Sequence, residues 1–256
     1  MSIQTERQKD ILSIIRKHGY VSVSELTSLL HYSTATINRD LNTLESQRMI
    51  VRNYGGARLA EPMLMPFSER YAFSRDIKQK IGTSAAELVE DGDTIFIDGS
   101  TTTQYMESGL RHKKNITVIT HNNALAAILS ENGIRAITLG GEIVESPNVT
   151  GGTLAAENAS IFMADKFFFS TTGASEDGRI LTSYNVYRPL ITTMMRNSKQ
   201  SYYLFDREKL PVDPLRCKEF TFLCDFGRLA GVISDIDFPD EFRERFHDTR
   251  FITVHL

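Results

Sequence analysis

Five short apolar runs, at 94–97, 116–120, 135–139, 166–169 and 201–205, are separated by stretches of helical character. That alternation predicts a mostly parallel α/β sheet with helices over it. Each run ends in small, amide or charged residues: Asp98-Gly99-Ser100-Thr101-Thr102-Thr103, His121-Asn122-Asn123, Gly140-Gly141-Glu142, Ser170-Thr171-Thr172 and Asp206-Arg207-Glu208-Lys209. Ligands of open α/β sheets sit at the carboxyl ends of strands, and a small-residue turn that opens a helix offers N–H groups and hydroxyls to an anion. A phosphate is therefore the expected guest of residues 98–103. Ordinary surface loops would also supply polar strand ends. The turn has neither the terminal GK[ST] of a Walker A loop nor GxGxxG, so neither ATP nor NAD is inferred.

The first sixty residues follow a different pattern. Ile11, Leu12, Ile14 and Ile15 form one stripe of a helix that Thr5 can cap and Gly19 ends. Ser22-Val23-Ser24-Glu25 is a capping box for a short second helix carrying Leu26, Leu29 and Leu30. After His31-Tyr32, Ser33 can cap a third helix with Ile37, Leu41 and Leu44 on its apolar side. Its other side offers Thr34, Thr36, Asn38, Arg39 and Asn42, the short hydroxyls and forked groups that approach phosphates and base edges in a major groove. Residues 49–54, Gly55-Gly56 and 57–59 read as strand, turn and strand, a wing bearing Arg52, Tyr54 and Arg58. A winged helix-turn-helix is the expected fold, with a plain three-helix bundle as its rival.

Charge supports that division. Residues 1–60 carry eight Lys/Arg against five Asp/Glu, whereas the remainder carries 21 against 27. Since phosphate neutralisation supplies most sequence-independent affinity for nucleic acid, a polyanion belongs at the N-terminal end. Cys217 and Cys224 fit neither a disulfide framework nor a zinc set, and the six histidines lack metal-binding spacing. No metal, cofactor or catalytic residue is expected. Neither a secretion signal nor a membrane-spanning run is legible, so a cytoplasmic location is expected.

Arg7-x3-Ile11-x3-Ile15, a 17-residue gap, and then Ser33-Thr34-Ala35-Thr36-Ile37-Asn38-Arg39-Asp40-Leu41 resemble the signature of DeoR-type bacterial transcriptional regulators. Tyr54-Gly55-Gly56-Ala57 resembles the wing of that family, with Tyr54 where His is usual and Asn38 where Arg is usual. Asn38 is expected to alter operator preference, since Asn can still contact adenine through two bonds. The family's C-terminal domain resembles sugar-phosphate isomerases, and the resemblance implies a ligand cleft lined by Asp98 to Thr103, Thr120-His121, Gly140-Gly141 and Asp206-x-x-Lys209. Lys78 and Gly92-Asp93 are also in family register. Ser100, His121 and Glu208 depart from the family's usual Gly, Asn and Ser. The usual Glu and Lys near 186 and 192 are missing, with Val186, Tyr187, Ile191 and Thr192 in that region and Arg188 as the nearby cation. An altered ligand or weakened sensing is left open.

The resulting expectation is a two-domain α/β chain: winged helix-turn-helix at 1–59, linker at 60–76, and a mostly parallel α/β domain at 77–256 for effector sensing and oligomerisation. Ser33, Thr34, Thr36, Asn38, Arg39, Asn42, Arg52 and Tyr54 are expected to meet a double-stranded operator. Asp98, Gly99, Ser100, Thr101, Thr102, Thr103, Thr120, His121, Gly140, Gly141 and Lys209 are expected to meet a phosphorylated metabolite. The expected activity is repression of carbohydrate-metabolism genes by a homo-oligomer, dimer or tetramer, without catalysis. The alternatives are a sugar-phosphate isomerase or deaminase, and a DNA binder whose body only oligomerises.

Overall fold

The computed structural model describes residues 6–18, 20–47, 49–53, 55–59, 67–146, 148–183, 185–210 and 220–255. Helix α1 (Glu6–His18), strand β1 (Tyr20–Ser22), helices α2 (Val23–Leu30) and α3 (Thr34–Ser46), and strands β2 (Ile50–Asn53) and β3 (Gly56–Leu59) form the N-terminal unit. The capping box forms: Glu25 N–H donates to Ser22 Oγ at 3.2 Å and Ser22 N–H to Glu25 Oε2 at 2.8 Å. Between α2 and α3 the chain turns through His31 in the left-handed region (φ 56°), whose N–H returns to the Thr27 carbonyl. Ser33 then caps α3 by accepting from Thr36 N–H at 3.2 Å. Ile11, Leu12, Ile15, Leu26, Ile37, Leu41 and Leu44 close one core under the three helices. Thr5 and Gly19, expected at the ends of the first helix, lie outside the described residues.

The wing has three strands rather than the two expected, in the order β1-β3-β2, all antiparallel. A Cβ at Gly56 would run into the Tyr20 ring and stand 2.5 Å from the Val21 carbonyl oxygen, so a bare Cα is what lets β3 lie against β1. β1 is three residues long and escapes periodicity, because its last residue, Ser22, is already the cap of α2.

Helix α4 (Phe67–Ala72) and helix α5 (Arg75–Glu87) lead into the larger unit. There follow β4 (Thr94–Ile97), a 3-10 turn (Thr103–Met106), α6 (Glu107–Leu110), β5 (Thr117–Thr120), α7 (Asn123–Glu131) and β6 (Arg135–Thr138). A hairpin of β7 (Glu142–Ser146) and β8 (Val149–Gly151) precedes α8 (Gly152–Ser160) and β9 (Ala164–Phe169). Next come β10 (Gly173–Ala174), β11 (Arg179–Thr182), α9 (Arg188–Arg196), β12 (Ser198–Leu204), β13 (Thr221–Asp225), β14 (Gly231–Ser234), α10 (Asp240–Arg245) and β15 (Arg250–Thr253).

Seven of these strands form one parallel sheet, in the order β15-β14-β12-β9-β4-β5-β6. The five runs read from sequence are its β4, β5, β6, β9 and β12. Strand alternation splits their side chains: Phe96, Phe167, Phe169 and Tyr203 face α8 and α9, whereas Ile95, Ile97 and Phe168 face α5, α6 and α7. Both faces are covered, which is why the strands read as near-continuous apolar runs. A small antiparallel sheet, β10-β11-β13, flanks the main one. Cys224 on β13 is buried and its thiol is pushed up to about 12, while Cys217 lies outside the described residues. Among the described residues no helix is long and apolar enough to cross a membrane.

Candidate functional site

The sheet order places a topological switch point between β4 and β9: the chain winds from β4 to β5 and β6 on one side, and from β9 to β12 and β14 on the other. The loop 98–103 leaves β4 there, beside Ser170 at the end of β9 and Asp206 just beyond β12.

Asp98 is buried and organises this loop. Its Oδ1 accepts from Thr103 Oγ1 (2.6 Å) and Ser100 N–H (3.1 Å), and its Oδ2 accepts from Ser170 N–H across the switch point at 3.0 Å. Ser100 Oγ in turn accepts from Thr103 N–H at 3.2 Å. Gly99 N–H donates to Nε2 of His121 at 2.6 Å, and the other ring nitrogen, Nδ1, lies 2.7 Å from the Thr150 carbonyl. A carbonyl can only accept and an amide N–H only donates, so the ring is neutral with its proton on Nδ1. Burial holds the imidazole below its ordinary pKa of 6.5, outweighing the upward pull of Asp98. Both His121 nitrogens are thus committed to the fold, joining the 98–103 loop to the β7–β8 hairpin. The Tyr187 ring packs against the imidazole at 5.3 Å, in the region where the family's usual Glu is missing from this sequence.

Thr120 is also committed: its Oγ1 accepts from Asn122 N–H at 3.0 Å, and Asn122 caps α7. Gly140 and Gly141 follow β6, the edge strand, two places from β4. They pack on the hairpin and α8, where a Cβ at Gly141 would stand 2.5 Å from the Gly151 carbonyl oxygen. The described contacts bring residues 98–103, His121 and Lys209 together, and Gly140 and Gly141 follow Leu139, whose N–H donates to the Thr120 carbonyl and whose carbonyl accepts from Thr150 Oγ1.

Three polar groups at the switch point are differently placed. Lys209 Nζ donates to Ser170 Oγ at 2.6 Å and lies 3.4 Å from Thr102 Oγ1. Lys78 Nζ, buried, donates to the Arg70 carbonyl at 2.7 Å and lies 3.4 Å from Thr101 Oγ1. Asp206 is 1% exposed, and neither carboxylate oxygen has a hydrogen-bond partner among the described residues. Such a group costs free energy unless something pairs with it, so it marks a place where a ligand's hydroxyls or cations could enter. Sequence reading reached Lys78 only through the family pattern, Ser170 only as a strand end, and Asp206 both as a strand end and through the family pattern.

On the N-terminal unit, Ser33, Thr34, Arg39 and Asn42 are exposed along α3, and Thr36 and Asn38 are half-buried. Thr36 Oγ1 pairs with Ser33 Oγ at 2.9 Å. Asn38 Nδ2 donates to the Thr34 carbonyl at 2.9 Å, and Asn38 Oδ1 accepts from Arg52 Nη2 at 2.6 Å. Asp40, in the middle of α3, is buried and accepts from Arg7 and from Gln8 Nε2 (3.2 Å), tying α3 to α1. Tyr54 lies outside the described residues.

Comparison with known proteins agrees with both halves. The DeoR-like helix-turn-helix domain matches residues 7–63, and the DeoR C terminal sensor domain matches residues 74–235. The glycerol-3-phosphate regulon repressor of Escherichia coli is 30% identical over 209 residues, covering 80% of this chain and 82% of that protein. The HTH-type transcriptional repressor GlcR of Bacillus subtilis is 33% identical over 210 residues, 81% of each. The lactose phosphotransferase system repressor of Staphylococcus aureus is 28% identical over 242 residues, 92% of this chain and 93% of that one. Among solved structures, a D-ribose-5-phosphate isomerase in complex with phospho-erythronic acid superposes with a TM-score of 0.40 at 12% identity over 52% of this chain, which spans about half (53%) of the isomerase. The eIF2B delta subunit of Chaetomium thermophilum gives 0.46 at 16% identity over 80% of this chain and 64% of that one. A winged helix-turn-helix followed by a parallel α/β sensor domain, matched in that order by both family models, makes this chain a member of the DeoR family of transcriptional regulators.

Proposed function

We propose that this protein represses carbohydrate-metabolism genes from a double-stranded operator and leaves it when a phosphorylated sugar fills the switch-point cleft. The observation that carries the ligand is the pairing of opposites there: the Lys209 ammonium beside Thr102 and Ser170, and the Asp206 carboxylate buried without a partner among the described residues. An ammonium and hydroxyls suit a phosphate, and a lone carboxylate suits sugar hydroxyls. Two relatives named for glycerol-3-phosphate and for lactose phosphotransfer support the same chemical class. On this reading Thr101, Thr102 and Lys209 meet the ligand, while Asp98, Gly99, Ser100, Thr103, Thr120 and His121 shape the loop that does so. Gly140 and Gly141 seat the hairpin behind it.

The two-state element is then the connector. Phe67, at the start of α4, packs in the sensor core, whereas Phe73, just past its end, packs against the core of the winged helix. Lys78 bridges them to the loop: its Nζ holds the Arg70 carbonyl, approaches Thr101, and lies 5.9 Å from the Phe73 ring centroid. A phosphate at Thr101 attracts that ammonium and competes with the Arg70 carbonyl for it. The ligand thereby favours a connector arrangement other than the one that orients the DNA-binding unit, as differential affinity requires. We read residues 1–59, 60–76 and 77–256 as the DNA-binding, coupling and sensing parts. One recognition helix reads few base pairs, so the working form is a dimer or tetramer in the cytoplasm. A complete DNA-binding unit argues against a metabolic enzyme.

Binding to the DNA upstream of the protein's own gene, titrated against salt with and without a panel of sugar phosphates, tests this for wild type and Arg39→Ala. Salt-steep binding that Arg39→Ala weakens and one ester releases is expected. Binding that no ester disturbs sinks the sensor, and turnover of an ester without any sequence-selective DNA binding sinks the repressor.

A further inference from the structure

Thr34, Asn38 and Asn42 lie one helical turn apart along a flank of α3, beside the exposed Arg39. Arg52 of β2 reaches across to this flank. Its Nη2 donates to Asn38 Oδ1 at 2.6 Å and its Nη1 to Asn42 Oδ1, while its backbone N–H donates to Glu45 Oε1 at 3.1 Å. The guanidinium is thus gripped by two carboxamide oxygens, while Glu45 accepts from the Arg52 backbone N–H through Oε1. Among the described residues no carboxylate forms an ion pair with it. The bonds to Asn38 and Asn42 use two of the five N–H groups of the guanidinium, and among the described residues the other three have no acceptor.

Asn38 is in the reverse situation. To read adenine it would present Oδ1 and Nδ2 together to the base edge. Here Oδ1 faces Arg52, and Nδ2 is folded back on the Thr34 carbonyl of its own helix. We propose that Arg52 is the residue that reads a base on this flank, a guanine through its forked N–H groups, and that Asn38 and Asn42 are positioning residues that fix its plane. The wing strand thereby contributes to major-groove reading through the recognition helix, instead of serving only as a backbone contact. The inference rests on the family's DNA binding.

Selection from a randomised duplex pool tests it, run in parallel with the full-length wild type, Arg52→Lys, Asn38→Ala, Asn42→Ala and the Asn38→Ala/Arg52→Lys double variant. Arg52→Lys keeps the charge and removes the fork, so the salt slope is expected to stay while a guanine preference at one position per half-site falls about ten-fold or more. Each Asn→Ala change is expected to weaken that same guanine preference, and the double variant to add nothing to Arg52→Lys. Thermal midpoints establish that each variant folds, and Asn42→Ala decides the positioning role should Asn38→Ala unfold. An equal loss of affinity for every sequence in Arg52→Lys overturns the proposal. So does an adenine preference that Asn38→Ala erases and Arg52→Lys leaves intact. A wild type that selects no sequence overturns the DNA-reading premise itself.

Discussion

The rings of Tyr71 and Tyr105 lie face to face, 4.5 Å between centroids and 4° between planes, and Tyr105 Oη donates to the Tyr71 carbonyl at 2.8 Å. Tyr71 belongs to α4, and Tyr105 sits two residues beyond Thr103, at the end of the loop that follows β4. The stack is thus a direct contact between α4 and the 98–103 loop's exit, the two parts that the proposed release mechanism couples. Replacing Tyr71 by Ala is expected to leave operator affinity without ligand within a few-fold, and to cut the ligand's effect on that affinity. Coupling free energies between sites are about 1–3 kcal/mol, so most of the release response is at stake. Tyr105→Phe keeps the stack, loses one hydrogen bond of about 1 kcal/mol, and should fall in between. Operator titrations with and without the ester decide, and an unchanged release ratio in Tyr71→Ala removes the connector from the mechanism.

Asp206 predicts opposite effects on the free and the liganded protein. Both its oxygens are buried without partners among the described residues. Asp206→Asn replaces a carboxylate buried without a hydrogen-bond partner among the described residues by a neutral group that costs less to desolvate, so the ligand-free variant should melt higher, by about 2–4 °C for each kcal/mol in a chain of this size. The same change should abolish most of the stabilisation by a sugar phosphate, which is about 2.7 kcal/mol at a hundred times the dissociation constant. Thermal melts with and without ester measure both. A variant that melts lower when free yet keeps its ligand shift shows that Asp206 serves the fold.

His121 makes the sensor domain sensitive to acid. Burial keeps the folded imidazole neutral below its ordinary 6.5, whereas in the unfolded chain it takes up a proton as pH falls past that value. Its contribution is therefore fully present above pH 6.5 and is lost as pH falls toward the lowered folded pKa, at about 1.4 kcal/mol per pH unit. His121→Asn can still donate to the Thr150 carbonyl and does not titrate. Denaturation midpoints between pH 7.5 and 5 should fall less steeply in the variant, and parallel slopes would place the acid sensitivity elsewhere.

The sheet was legible because its strands are buried on both faces and so read as uninterrupted apolar runs, and α2 and α3 because Ser22 and Ser33 announce them. What escaped was long-range. The bond from Gly99 to His121 spans 22 residues and the one from His121 to Thr150 spans 29, so no local pattern shows that the histidine faces the fold. The pairing of Arg52 with Asn38 joins two residues 14 apart that were read separately as wing and recognition helix. Strand β1, the β7–β8 hairpin and the β10-β11-β13 sheet are short or two-sided, and they gave no period to read.

Gly99 shows how tightly the loop is held. A Cβ there would stand 2.7 Å from Val149 Cγ1 and 2.8 Å from His121 Cε1, both buried side chains. Gly99→Ala must push β8 or the imidazole aside, at a cost of about 1–3 kcal/mol, and it should weaken the response to ester because residues 100–103 move with it. Val149→Ala removes one of the two obstacles while opening a small void of its own. Combining the two changes should therefore cost less than the sum of the single changes, by about 0.5–3 kcal/mol in a double-mutant cycle of urea midpoints. Strict additivity would mean that the loop escapes Val149 by a route the packing does not suggest, and the hairpin would then be a bystander to the 98–103 loop instead of its backing.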